Sequence, residues 1–224
     1  MRIFYGLAIA LAISAAPRVA SSAPVVLLDA SNVGIDAASF SFSVVGTTIT
    51  INETWTSNGI GSLLFRGLDV SIPYTVVKQV TNNTGASWTR FANELLDPAG
   101  QANDAADLLP YPSFVPGGYT TSNDSDGLSF NQGGGSPRTS LAFSDLLVDE
   151  LTDARDFLDF FNGSVSGLGG LDTITFGLID TGPNQPFLLV QRPNEKSVET
   201  PEPISATILG MGLLGLGFAR RRRG

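Results

Sequence analysis

Phe40-Ser41-Phe42-Ser43-Val44-Val45-Gly46-Thr47-Thr48-Ile49-Thr50-Ile51-Asn52-Glu53-Thr54-Trp55 is the stretch from which the fold is most directly read. Phe40, Phe42 and Val44 alternate with serines, and Ile49 and Ile51 alternate with threonine and asparagine toward Trp55. Period-two alternation puts one set of side chains on a buried face of a strand and the other in water. Gly46-Thr47 between the two runs supplies a turn, so the stretch predicts a β-hairpin.

The same pattern extends outward. Residues 63–72 and 74–80 predict two further strands, with Pro73 as a break or bulge between them. A turn at residues 82–85 leads to Trp88, Phe91 and Leu95, which continue the pattern. Residues 173–179 and 187–191 predict late strands joined by a Gly-Pro-Asn turn. Many short strands at this spacing predict an all-β body, a β-sandwich of immunoglobulin or jelly-roll type with two facing sheets. Residues 97–127, rich in Pro, Gly, Asn and Asp, read as a long exposed loop with one short turn of helix at 103–109. Residues 146–161 stay open between one or two helical turns at 152–160 and strand residues around a loop.

The chain has 224 residues, enough for one ordinary domain plus terminal segments. It contains no cysteine and no histidine, which excludes disulfides, thiolate nucleophiles, Cys/His zinc sites and catalysis by an imidazole base. Between residues 24 and 200 there are seven basic and twenty acidic residues, 7 − 20 = −13. A body so acidic repels phosphate backbones, and no nucleic-acid partner is expected.

Both termini carry their own signals. Arg2, an apolar run over residues 3–16 and Ser21-Ser22-Ala23 follow the order of a secretory signal peptide, residues 1–23, cleaved near Ser22 or Ala23. At the other end, Thr200-Pro201-Glu202-Pro203 precedes an uncharged segment, residues 204–219, and then Arg220, Arg221, Arg222 and Arg223. As a helix that segment would extend ~24 Å, against a hydrocarbon core of ~30 Å, and snorkelling arginines make up the difference. The arginines hold the C-terminus in the cytoplasm, which places the body outside. Gly210-Met211-Gly212-Leu213-Leu214-Gly215 matches G-x-G-x-x-G formally. No preceding strand and no downstream acidic residue support a dinucleotide site there. Each proline pushes the residue before it toward extended geometry. On composition, the Pro-Glu-Pro element is either a peptide presented to a processing enzyme or a helix breaker ahead of an ordinary single-pass anchor.

The order Pro201-Glu202-Pro203, short glycine-rich apolar helix, arginine cluster, end of chain closely resembles the PEP-CTERM sorting signal of Gram-negative bacteria that make exopolysaccharide. The resemblance implies a sorting region at residues 200–224. Its recognition motif would be Pro201, Glu202 and Pro203, its transmembrane helix residues 204–219 and its stop-transfer cluster Arg220 to Arg223. It also implies a partner, the membrane-embedded processing enzyme exosortase, and delivery to the cell surface or exopolysaccharide matrix. The body, residues 24–199, is similar in two places to extracellular domains often attached to this signal. One is Val80-Thr81-Asn82-Asn83-Thr84-Gly85 through Trp88 to Glu94-Leu95; the other is Phe160-Phe161-Asn162-Gly163 through Phe176-Gly177 to Pro186-Phe187.

Three chemistries are weighed for the body. Asp124, Asp126 and Gly127 fall at EF-loop-like offsets from Ser122, but the first position is Ser122 and the twelfth is Gly133, so a plain polar turn competes with a calcium site. Glu53, Glu94 and Glu150 are available as a carboxylate pair for glycoside hydrolysis, although on so acidic a body such carboxylates are usually just solvated surface. Trp55, Trp88, Tyr111 and Tyr119 offer aromatic faces to sugar rings, with Trp88 reading as core. The expectation is a non-enzymatic structural or binding protein without a cofactor. Its alternatives are a permanently anchored carbohydrate-binding domain and a glycoside hydrolase. Asn52, Asn82, Asn123 and Asn162 begin N-x-Ser/Thr triplets, read as chance in an Asn/Thr-rich chain.

Overall fold

The computed structural model describes residues 23–100, 115–122, 126–131, 134–149, 155–182 and 185–194. These form β-strands and turns, with no α-helix among the described residues.

The opening stretch forms β2 (Ser41–Val45) and β3 (Thr48–Trp55), antiparallel from Val45↔Thr48 to Ser41↔Asn52. Gly46 has φ +59°, the left-handed conformation that tight hairpin turns use and that costs glycine little. Every second residue of β3 is buried: Ile49, Ile51, Glu53 and Trp55. The chain next runs through β4 (Gly61–Arg66) and returns as β5 (Tyr74–Asn82). β5 lies parallel to β3, from Thr48↔Thr75 to Trp55↔Asn82. Parallel neighbours need a crossover, and β4, in the other sheet, is that crossover.

The six-stranded sheet has the order β2-β3-β5-β12-β8, where β8 is Leu128–Ser129 and β12 is Gly170–Asp180; β9 (Thr139–Ser140) also pairs with β12. The seven-stranded sheet has the order β1-β4-β13-β6-β11-β10, and β7 (Tyr119–Thr121) pairs with β6. Its remaining strands are β1 (Val25–Leu28), β6 (Trp88–Pro98), β10 (Phe143–Asp149), β11 (Phe157–Val165) and β13 (Phe187–Pro193). β13 lies between β4 and β6 and is buried at all seven positions, which explains its apolar run Phe187-Leu188-Leu189-Val190. Strand faces from both sheets contribute to one apolar cluster. Ile49, Val76, Ile174 and Phe176 come from the six-stranded sheet; Phe65, Phe91, Leu158 and Leu189 come from the seven-stranded one. Leu64, Leu96, Leu188 and Val190 form a second cluster.

Trp55 lies near the centre of the large cluster, edge-on to Trp88 and Phe91 at centroid distances of 5.5 and 5.6 Å. Gly34 and Gly61 close on it so tightly that a Cβ would come within 2.3 and 2.5 Å of its ring. A glycine at these positions is therefore a packing requirement.

Several expectations change. The strand expected over 63–72 ends at Arg66, because Gly67 and Ser71 take positive φ and turn the chain before Pro73. The loop expected at 97–127 is shortened at both ends: β6 continues to Pro98, and β7 pairs Thr121 with Leu96. The helical turn expected at 103–109 lies outside the described residues. In the ambiguous region β10 and β11 pair antiparallel, Phe143↔Gly163 through Asp149↔Phe157, so the strand reading holds from Phe157 onward. β12 and β13 are strands as expected but belong to different sheets. The chain between them passes from one sheet to the other.

Candidate functional site

Pro201, Glu202, Pro203, the apolar segment 204–219, Arg220 to Arg223 and residues 1–22 lie outside the described residues, as do Asp124, Tyr111 and Glu150. Among the described residues no helix is long and apolar enough to cross a membrane.

Asp126 sits in the turn entering β8. Its Oδ1 accepts the Leu128 N–H at 2.9 Å and lies 3.4 Å from Ser122 Oγ. Thr181 N–H donates to Gly127 O at 2.8 Å, which holds the turn against the end of β12. Burial raises the Asp180 carboxyl above its ordinary range; the Gly182 N–H, 2.8 Å from Oδ1, opposes the rise and the charge of Asp126 adds to it. Among the described residues no group of three or more acidic side chains is arranged to hold a metal ion. Asp126 serves here as the acceptor that shapes a turn.

Glu53 and Glu94 do not converge. Glu53 is buried on the inward side of β3, whereas Glu94 pairs with Arg192 on the other side of the seven-stranded sheet. The register shows this directly: Gln191↔Asn93 share the inward face, so Glu94 and Arg192, one residue along, face the other way. The two carboxylates cannot flank one glycosidic bond. Trp55 and Trp88 are both 0% exposed, so neither ring offers a platform to a sugar, and Tyr119 packs partly buried against the second cluster.

The inward faces hold a polar constellation that the sequence did not single out. Lys78 of β5 is fully buried, with Nζ 3.5 Å from Glu53 Oε2 and 3.2 Å from Asn93 Oδ1, and it also donates to Gln191 Oε1. Gln191 Nε2 donates to Glu53 Oε1 at 3.0 Å, and Trp55 Nε1 donates to Glu53 Oε2 at 3.2 Å. Phe91 lies under the ammonium, 4.6 Å from ring centroid to Nζ. Burial lowers the Lys78 pKa; the nearby Glu53 carboxylate, and to a lesser extent Asp172, oppose that shift. Strand parity was the available signal, since Glu53 follows Ile49 and Ile51 inward and Lys78 lies between inward Val76 and Val80.

No protein-family model, curated protein or solved structure matches this chain. Any reading of its function therefore rests on its own residues.

The opposite face of the six-stranded sheet differs from the rest of this acidic body. Register places Ser41, Asn52, Gln79 and Thr173 in one row and Ser43, Thr50, Val77, Thr175 and Thr139 in the next. Val45, Thr48 and Thr75 with Gly177, Thr54 and Thr81 with Leu171, and Ile179 with Ser129 complete the face, in which Val45 and Leu171 are exposed apolar side chains. None of these residues is charged. The face presents hydroxyls and amides that both donate and accept hydrogen bonds.

Proposed function

We propose that this is an exported all-β protein carrying a PEP-CTERM-type sorting signal, an exosortase substrate delivered to the cell surface or exopolysaccharide matrix, where its body is a structural or binding component. The observation that carries the reading is the fixed order of Pro201-Glu202-Pro203, the uncharged segment 204–219 and Arg220 to Arg223. The limits of the fold support it: β1 begins at Val25 and β13 ends at Pro193. Loss of the first 23 residues and of the sorting region would therefore remove no described strand. The apolar cluster shared by both sheets supports a β-sandwich of immunoglobulin or jelly-roll type for the body.

Surface chemistry supports a hydrated, uncharged polymer as the neighbour. Of the seven basic residues between 24 and 200, Lys78, Arg90 and Arg192 are paired one to one with Glu53, Asp159 and Glu94, so the excess of acid that the composition gives, 4 − 17 = −13, is carried by the remaining residues. The uncharged hydroxyl and amide face can meet polysaccharide hydroxyls without bringing like charges together.

Intact mass of the mature protein, from cells with and without exosortase, tests the reading. Loss of everything beyond the Pro-Glu-Pro region only when exosortase is present, and its block by Glu202→Ala, are the expected results. Retention of the arginines in both strains would instead identify a permanently anchored single-pass protein.

A further inference from the structure

We propose that Lys78 and Gln191 become joined by an intramolecular amide bond that the folded protein forms itself, with Glu53 as the proton carrier. The groups for this condensation are an amine, a primary amide and a carboxyl group, all buried and gathered between strands of different sheets. The Lys78 amine contacts the Gln191 carbonyl oxygen, and the nitrogen that must leave, Nε2, donates to Glu53 Oε1 at 3.0 Å. The other Glu53 oxygen lies 3.5 Å from the amine, so one carboxyl group reaches both the nucleophile and the leaving group. Asn93 supplies an independent sign of an unfinished site. Its Nδ2 is buried and has no hydrogen-bond acceptor among the described residues, although its Oδ1 is 3.2 Å from Lys78 Nζ. A buried orphan donor is costly in a finished core.

The atoms balance without any added reagent. Lys78 ammonium gives a proton to the Glu53 carboxylate and becomes a neutral amine, a transfer that burial favours. Nζ then attacks Gln191 Cδ, forming the Nζ–Cδ bond and a tetrahedral oxyanion. Glu53 gives its proton to Nε2 and takes the second proton from Nζ; the Cδ–Nε2 bond breaks and ammonia departs. Glu53 ends as a neutral acid, so the buried ion pair has become a buried amide with no charge left to solvate. Exclusion of water protects the product from hydrolysis. The bond ties β5 to β13, 113 positions apart in the chain, in a protein that has no cysteine with which to make a disulfide.

Intact and peptide mass spectrometry of the purified folded chain test this. The wild type is expected to be lighter than its processed sequence by one ammonia, and a protease digest to contain one branched peptide carrying Lys78 and Gln191. Glu53→Gln, checked for folding by circular dichroism, is expected to show the full mass. Gln191→Glu is expected to change the deficit from ammonia to water. A wild-type protein of full mass, with the two peptides recovered separately, overturns the proposal whether or not the variants fold. A branch from Lys78 to Asn93 overturns the choice of Gln191, and a cross-linked Glu53→Gln protein overturns the role of Glu53.

Discussion

Asn82 should be among the costliest polar residues to remove from this protein. Its buried side chain donates through Nδ2 to Ala86 O and Val165 O, both at 3.0 Å, and accepts at Oδ1 from Thr84 N at 3.1 Å and Thr84 Oγ1 at 2.8 Å. Its backbone carbonyl also accepts the Gly169 N–H at 2.9 Å, so one residue fastens the turn after β5 to the loop before β12. Asn82→Ala strands the buried Val165 carbonyl at a cost of about 1–3 kcal/mol, whereas the Ala86 and Thr84 groups are near enough to solvent to cost roughly 0.5–1 kcal/mol each. The sum is about 3 kcal/mol, a large part of the ~5–15 kcal/mol by which domains are stable. At this chain length it corresponds to a fall in Tm of roughly 6–12 °C. Asn82→Asp keeps the acceptor for Thr84 but sets a carboxylate against two carbonyl oxygens, and its loss should be at least as large. Asn52→Ala, which removes one exposed bond to Ser41 Oγ, is the control and should stay within about 0.5 kcal/mol of wild type. Urea denaturation of the three variants measures this. An Asn82→Ala protein as stable as Asn52→Ala would refute the reasoning.

Gly61→Ala should cost about 1–3 kcal/mol by overpacking, because the added Cβ would lie 2.5 Å from Trp55 Cη2 and 2.9 Å from Ile35 Cδ1. Near-ultraviolet circular dichroism should change with it, and an unaltered tryptophan signal with unchanged stability would count against the packing described. Asp180→Asn should stabilise the protein at neutral pH. The raised carboxyl pKa means that the folded state favours the protonated acid, so that contribution is present below the ordinary carboxylate range, about 4, and is lost as pH rises through the higher folded value. Asparagine stays neutral and keeps an oxygen for the Gly182 N–H, so the gain should disappear at acid pH. A Tm difference independent of pH would refute the assignment.

The hairpin at β2 and β3 was legible because its pairing is local, its turn carries a glycine and its alternation is unbroken. The parallel union of β3 with β5 was not, since nothing in either strand records that the chain between them has crossed to another sheet. Residue type misleads for Glu53: a carboxylate on an acidic chain reads as surface, yet its parity with Ile49 and Ile51 sends it inward. Lys78 hid the same way between Val76 and Val80, and its partners Asn93 and Gln191 come together with it only through long-range pairing. Trp55 is by residue type a candidate sugar platform, but the alternation that reveals its strand also points it into the core. For Asp126, spacing alone could not separate a turn acceptor from a cation ligand.

The position of β13 bears on the order in which a chain made N-terminus first can acquire this structure. The last strand to emerge fills the slot between β4 and β6, which until then present open edges to one another and to neighbouring molecules. The seven-stranded sheet thus completes only when nearly the whole body is available to pair. Closure of that sheet waits for the C-terminal part of the body, and chains that stop before Phe187 should aggregate rather than persist as shorter domains.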